Sequence, residues 1–378
     1  MKKIMILAAA AALVLSAACT KTEISSPNDE QHAIGFTNYA PRSVSKADAD
    51  NYAASSTLIN NATFGVYAWS VANNEAKGDR NFHTNGSGDP NFMNPVVVTY
   101  KGDTGSGASN TYSPLRYWPS GDKPDGLTFF AYYPQNKGTV APTFSKTAGE
   151  NLVSTFTDFT VNANANGQVD FLVADLVPNQ YYGETTGGAS YKGTVKFTFR
   201  HQLTKVIFKF NTDATHADTE IKITGATLSG IKNKGTLVAT STASATTSAW
   251  ESQDGAVGFT INHPTAALTT SAEPGTSIAL DNAKDVFLMV PQDIENGVQK
   301  LTITWTVATT GSATITNTKT INLYDITKDG LAHTAENAIN WAMNNQVIYT
   351  ITVGPQPIYF TGTVEAWGTT VNGQISVN

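Results

Sequence analysis

Leu301, Ile303, Trp305 and Val307 alternate with Thr302, Thr304 and Thr306, and Val347, Tyr349, Ile351 and Val353 repeat the scheme. Successive side chains of a β-strand point to opposite faces, so an apolar residue at every second position belongs to a strand with one face buried and one wet. The period recurs along most of the chain. Phe64, Val66 and Ala68 alternate with Tyr67 and Trp69; Val96, Val98 and Tyr100 share a face; Leu127, Phe129, Ala131 and Tyr133 alternate with Phe130 and Tyr132. Runs that are apolar on both faces suit central strands. Val195, Phe197 and Phe199 are out of phase with Val206, Phe208 and Phe210, which predicts a turn or bulge between His201 and Lys205. Many short strands separated by Gly, Asn and Pro give an all-β chain, expected as two β-sandwich domains in series. The 378 residues accommodate this, at about 150 residues per domain, with a tail left over. The polar stretch Asn211 to Thr219 lacks alternation and places the boundary near residue 214. One segment departs from the period: Ala335, Ala338, Ile339, Ala342 and Met343 follow helical spacing behind Thr334, so a short capped helix is predicted over 335–344.

The amino terminus is built differently. Lys2 and Lys3 precede the apolar stretch Ile4 to Leu15 and the small residues Ser16-Ala17-Ala18, the layout of a secretory signal over 1–18 that is too short to span a bilayer. The only cysteine of the chain, Cys19, follows at once, where bacterial lipoprotein processing places the lipidated thiol. Leu15-Ser16-Ala17-Ala18-Cys19 resembles a lipobox in which Ser16 stands at the usual leucine position. With one cysteine no disulfide framework exists, and acyl chains on Cys19 would anchor the chain at a membrane by more than one tail. Residues 20–32 are tether-like, Ile34 and Phe36 begin a short strand, and Pro41 to Ser56 is soft and polar.

Little in the sequence points to catalysis. Charged residues make up 14% against about 25% in average domains, and 24 Lys plus Arg face 30 Asp plus Glu, which disfavours a nucleic-acid partner. The histidines, His32, His83, His201, His216, His263 and His333, form no zinc motif, and no nucleophile elbow, P-loop or dinucleotide fingerprint is present. No enzyme activity and no cofactor is expected. Asp325, Thr327, Asp329, Gly330 and Glu336 imitate a calcium loop with Thr327 in place of an acid or amide, a weak candidate because flanking helices are not expected. Asn162, Asn164, Asn166 and Gly167 imitate it without a carboxylate and read as a turn. Tyr112, Tyr117 and Trp118 could stack on sugar rings or anchor the following strand in the core.

Tyr117-Trp118-Pro119, Phe129-Phe130-Ala131-Tyr132-Tyr133-Pro134, Asp170-Phe171-Leu172-Val173-Ala174, the run Phe197 to Val206 that contains His201 and Leu203, Val286 to Pro291, Tyr349 to Val353 and Trp367 occur in this order. Together they resemble the fimbrillin family, the lipoprotein-derived pilins and adhesins of type V pili. Relatives often carry Gly where this chain has Asn344-Asn345, and Asn tolerates the left-handed conformation. The resemblance implies transthyretin-like sandwiches over 43–214 and 215–378, preceded by a propeptide over 19–42 that carries the first strand. It implies a precursor palmitoylated at Cys19, carried to the outer membrane and cut after Arg42 by an arginine- or trypsin-type protease, leaving an extracellular pilus. The vacated groove would accept a strand from another pilus subunit. A donor is visible at the carboxyl end, where Ile358, Phe360 and Val364 share one face and Val371, Ile375 and Val377 share another. The same alternation suits a strand that completes its own sheet, in which case a tip or accessory role fits better than a stalk. A monomeric surface lipoprotein that binds glycans, or a calcium-dependent adhesin using Asp325, Asp329 and Glu336, are the alternatives.

Overall fold

The fold was analysed as a computed structural model, which describes residues 32–39, 61–73, 80–101, 110–121, 123–135, 141–146, 149–182, 193–212, 219–261, 286–328, 330–354 and 359–366. Among them the strands are, in chain order, β1 (Gly35–Tyr39), β2 (Thr63–Val71), β3 (Met93–Thr99), β4 (Gly126–Tyr133), β5 (Thr143–Ser145), β6 (Leu152–Thr160), β7 (Leu172–Ala174), β8 (Val177–Gln180), β9 (Thr194–His201), β10 (Thr204–Thr212), β11 (Thr219–Ser241), β12 (Thr246–Thr260), β13 (Val286–Met289), β14 (Lys300–Thr309), β15 (Ile315–Asn322), β16 (Asn345–Val353) and β17 (Tyr359–Ala366). A single helical turn, Phe82–Asn85, is capped by the Asn81 side chain. The chain is all-β, as its alternation requires.

The strands assemble into three sheets. The first runs β1-β9-β7-β4-β2-β3 with β8 beside β4, the second β13-β10-β16-β17, and the third β15-β14-β11-β6-β5 with β12 beside β11. At the centre of the first sheet β2 and β4 are apolar on both faces, with Thr63, Ser70 and Thr128 their only polar residues. Phe64, Val66, Ala68, Leu127, Phe129, Ala131 and Tyr133 enter one core cluster, while Tyr67, Trp69, Phe130 and Tyr132 enter another. This sheet is curled. Phe64 of β2 lies 5.7 Å from Phe199 and 6.2 Å from Phe197 of β9, ring centre to ring centre, although two strands at about 4.8 Å spacing intervene between β2 and β9. A flat sheet could not bring those rings together.

The turn expected between His201 and Lys205 separates β9 from β10, and the strands on either side belong to different sheets. Val195, Phe197 and Phe199 fill the cluster inside the curled sheet, and Val206, Phe208 and Phe210 fill the cluster between the second and third sheets. The phase change is therefore a change of core. The boundary expected near residue 214 falls in the undescribed 213–218. Strands pair across it, β6 antiparallel with β11 and β10 in parallel with β16. The 23-residue β11 serves two neighbours in turn along one edge, β14 through Thr219–Ser229 and β6 through Lys234–Ser241.

The predicted helix over 335–344 is not formed. These residues make turns and isolated bridges, with Ala338 opposite Thr327 and Trp341 opposite Gln292. The cap chemistry is present without a helix to cap: the Asn337 amide donates to Thr334 Oγ1 at 3.3 Å and the Thr334 amide to Asn337 Oδ1 at 2.6 Å. Asn337 Nδ2 also donates to the Ala332 carbonyl at 3.0 Å, so this side chain competes with helical bonding. Asn344 follows in the left-handed region at φ 62°, the conformation its amide tolerates.

Burial of phenols gives the fold an alkaline limit. Tyr132, Tyr133 and Tyr349 are almost fully buried, and their pKa values lie well above the usual tyrosine range, chiefly through desolvation. A raised folded-state pKa means that the fold favours the neutral phenol, so this stability is complete below about pH 10 and is lost as pH rises further. Ultraviolet tyrosinate absorbance is expected to rise for these residues only together with loss of the β-sheet circular dichroism.

Candidate functional site

The first strand occupies a groove bounded on both sides. On one side β1 pairs in parallel with β9, Phe36 opposite Val195. On the other side lies the stretch 110–118, where Ala33 bridges Tyr117, the Ile34 amide donates to the Arg116 carbonyl at 2.9 Å, and the Trp118 amide donates to the His32 carbonyl at 3.0 Å. Two side chains add to these main-chain bonds. Tyr112 Oη donates to the Ile34 carbonyl at 2.7 Å, and Asn110 Nδ2 donates to the Phe36 carbonyl at 2.9 Å. Beneath the strand Ile34 and Phe36 are each 1% exposed, and Phe36 stacks on Phe197 at 5.7 Å with Tyr112 and Phe129 at its edges. Ile34 and the strand that follows it thus carry two large apolar side chains into the core while β1 remains at the edge of its sheet. Asn110 and Tyr112 were invisible in this role, because a carbonyl acceptor leaves no trace in the sequence.

The four arginines differ in accessibility. Arg200 is in β9 with both of its donors on Asp175 at 2.8 Å, Arg80 lies 4.0 Å above the Tyr181 ring, and Arg116 is tied by its backbone to Tyr112 and Ile34. A protease needs an extended segment, so these three are guarded by structure. Arg42 and Cys19 lie outside the described residues.

At the carboxyl end β17 pairs antiparallel with β16 in its own sheet, Val364 opposite Val347 and Phe360 opposite Ile351. Val364 is half-buried against the cluster between the second and third sheets. Gly362 faces Ile339 and Ile326, so a Cβ there would push the Ile339 side chain aside. Ile358, Val371, Ile375 and Val377 lie outside the described residues.

The other candidate residues are separated. Trp118 is 4% exposed and packs edge-on against Phe129, so it is part of the core, while Tyr117 is 40% exposed. These aromatics therefore form no common platform. In the calcium-like stretch Thr327 is buried and donates to the Leu331 carbonyl at 2.9 Å, and the Glu336 carbonyl accepts from Lys328 Nζ at 3.2 Å. Asp325 ends a single 3-10 turn, Asp329 is outside the described residues, and no cluster of three or more His, Cys, Asp or Glu occurs among those described. Asn162 and Asn164 form the expected turn, with Asn162 Oδ1 accepting from the Asn164 amide at 2.8 Å.

Comparison with known proteins decides the family. A family model described as fimbrillin-like matches residues 33–367, from the bridge that seats β1 to the residue after β17. The chain belongs to the fimbrillin-like family. Fimbrillin-like proteins are structural fimbrial subunits and not enzymes. The chain is 30% identical over 221 residues to the fimbrium subunit Fim1C of Phocaeicola vulgatus, an alignment that covers 56% of this chain and 53% of that relative. It thus spans about half the length of the curated relative it matches. The crystal structure of a fimbrial protein from Bacteroides vulgatus shares the fold, with a TM-score of 0.54 at 20% identity over 89% of this chain and 99% of that one. Against the fimbrillin-like fold, His201 is structural: its Nδ1 lies 2.7 Å from Asp170 Oδ2, with both side chains buried where β9 turns into β10.

Proposed function

We propose that the chain is the precursor of a type V pilus subunit, structural or adhesive, that is lipidated at Cys19, anchored at the outer membrane, cut after Arg42 and assembled by strand exchange. The observation that carries this reading is the seating of β1. It is an edge strand whose Ile34 and Phe36 are buried, and it precedes the one arginine that lies before the remaining strands. Cleavage there detaches β1 from the rest covalently, and its departure exposes a groove lined by Phe197, Phe129 and Tyr112. Such a groove is filled by strand addition, main-chain bonds giving affinity and alternate side chains giving register. Val371, Ile375 and Val377 of the next subunit are the proposed donor residues. The division into sandwiches over 43–214 and 215–378 belongs to the same reading; one core cluster is drawn from residues 34–199 and another from 206–353, while a third draws on both halves.

An arginine-specific protease acting on the native protein is expected to cut first after Arg42, leaving a fragment that begins at Ser43. That fragment should form oligomers that withstand denaturant. Deleting 371–378 should leave the uncut monomer folded and abolish those oligomers. A quantitatively cleaved protein that stays monomeric counts against strand exchange. Palmitate labelling that survives Cys19→Ala counts against the anchor.

A further inference from the structure

A cleft of about 350 Å³ opens between β12, the stretch 291–293 and the stretch 340–343, and shares no lining residue with the β1 groove. Trp250, Gln253, Asp293, Asn340, Trp341 and Met343 line it. The volume is at the lower end of the ~300–1,000 Å³ typical of small-ligand sites. Its walls are clamped: Gln292 and Trp341 exchange main-chain bonds at 2.8 and 3.0 Å, and the Gln292 amide is held by Lys232 and Val290. Trp250 is half-buried and fixed, its indole N–H donating to the Gln202 carbonyl at 2.7 Å and its ring meeting Phe159 and Phe171 edge-on. Trp341 is 1% exposed and donates to Tyr349 Oη at 3.0 Å, so it forms wall and not platform.

Polar groups on the rim remain free. Asn340 Oδ1 accepts from the Ile294 amide at 3.3 Å, which leaves Nδ2 as a donor, and Asp293 is exposed with its carboxylate making no hydrogen bond to the described residues. No lysine or arginine lines the cleft, so an anion finds no counter-charge. A fixed indole beside a carboxylate and a carboxamide suits a ligand with an apolar face and a rim of hydroxyls: the ring packs on the aromatic, the carboxylate accepts from hydroxyls and the amide donates to them.

We infer that this cleft binds a neutral saccharide, with Trp250 as the packing surface and Asp293 and Asn340 as the hydroxyl-reading groups. The test is a titration of the purified full chain with glucose, galactose, mannose and N-acetylglucosamine, followed by saturation-transfer NMR, with choline as a cationic probe of the same indole and carboxylate. At least one sugar is expected to bind saturably with Kd of about millimolar, as the size of the ligand permits. Asp293→Asn should weaken it about tenfold without moving Tm, because a charge-assisted bond becomes a neutral one. Trp250→Phe should weaken it while keeping an aromatic in place, and Tyr117→Ala should leave it unchanged. Saturation by choline with none of the four sugars, or sugar binding indifferent to both Asp293→Asn and Asn340→Ala, overturns the inference.

Discussion

Phe36→Ala is expected to cost the uncleaved chain about 3–5 kcal/mol, and the assembled pilus nothing. The first half follows from burial. Phe36 is 1% exposed among Phe197, Tyr112 and Phe129, and removing a ring from such a site leaves a cavity as well as losing its transfer energy. A loss of that size is a large part of the ~5–15 kcal/mol by which most domains are stable. The second half follows from the proposed exchange. Once β1 has been replaced by a neighbour's strand, residue 36 is no longer part of the subunit, and wild-type and variant pili become identical. Urea denaturation of the uncleaved monomer, with the midpoint falling at unchanged slope, checks the first statement. Denaturant resistance of cleaved oligomers checks the second. An equal deficit in the oligomers would mean that β1 stays in place, and the strand-exchange reading would fall.

Asp170→Ala is expected to destabilise the fold by a similar ~3–5 kcal/mol, because it removes one half of a buried polar pair. Asp170 lies just before β7 and His201 ends β9, and the two meet at 2.7 Å with side chains 0% and 1% exposed. Asp170 Oδ1 has no hydrogen-bond partner among the described residues, and the carboxylate adds to burial in holding the Tyr133 phenol above its ordinary pKa. The pair is costly to keep and more costly to halve. Replacing both members together, Asp170→Leu with His201→Leu, is therefore expected to recover most of the loss, since the buried contact is then removed from both sides. A double-mutant cycle measured by denaturation reads the coupling directly. Additive losses would show that the two side chains act separately.

How much of this was legible follows from how far each feature reaches along the chain. The strands and the composition of the core were readable, because Cβ direction alternates residue by residue and Phe64, Phe129, Phe197, Ile303 and Tyr349 all lie where their period places them. The switch at His201 to Lys205 was readable as a phase change, though its meaning as a change of core was not. The spacing of five apolar positions overstates a helix over 335–344, because it takes no account of Asn337, whose side chain bonds to Thr334 and Ala332 and holds the segment in turns. Trp118 was ambiguous, since an aromatic beside a Gly and Ser loop serves a core or a surface equally well by sequence.

By itself the sequence determined an all-β chain with two-sided apolar strands at its centre and few charged residues, and it placed a single cysteine, Cys19, behind an apolar start. These are local properties, set by side-chain direction and by residue chemistry at short spacing. Only the tertiary structure decided that β1 lies parallel to β9, that β6 and β11 share a sheet across the middle of the chain, and that Asp170 meets His201 from 31 residues away. It alone brought Trp250, Asp293 and Asn340 to one cleft. Pairing and register are chosen by which faces can be buried together, a choice made among distant strands and invisible to any window of sequence.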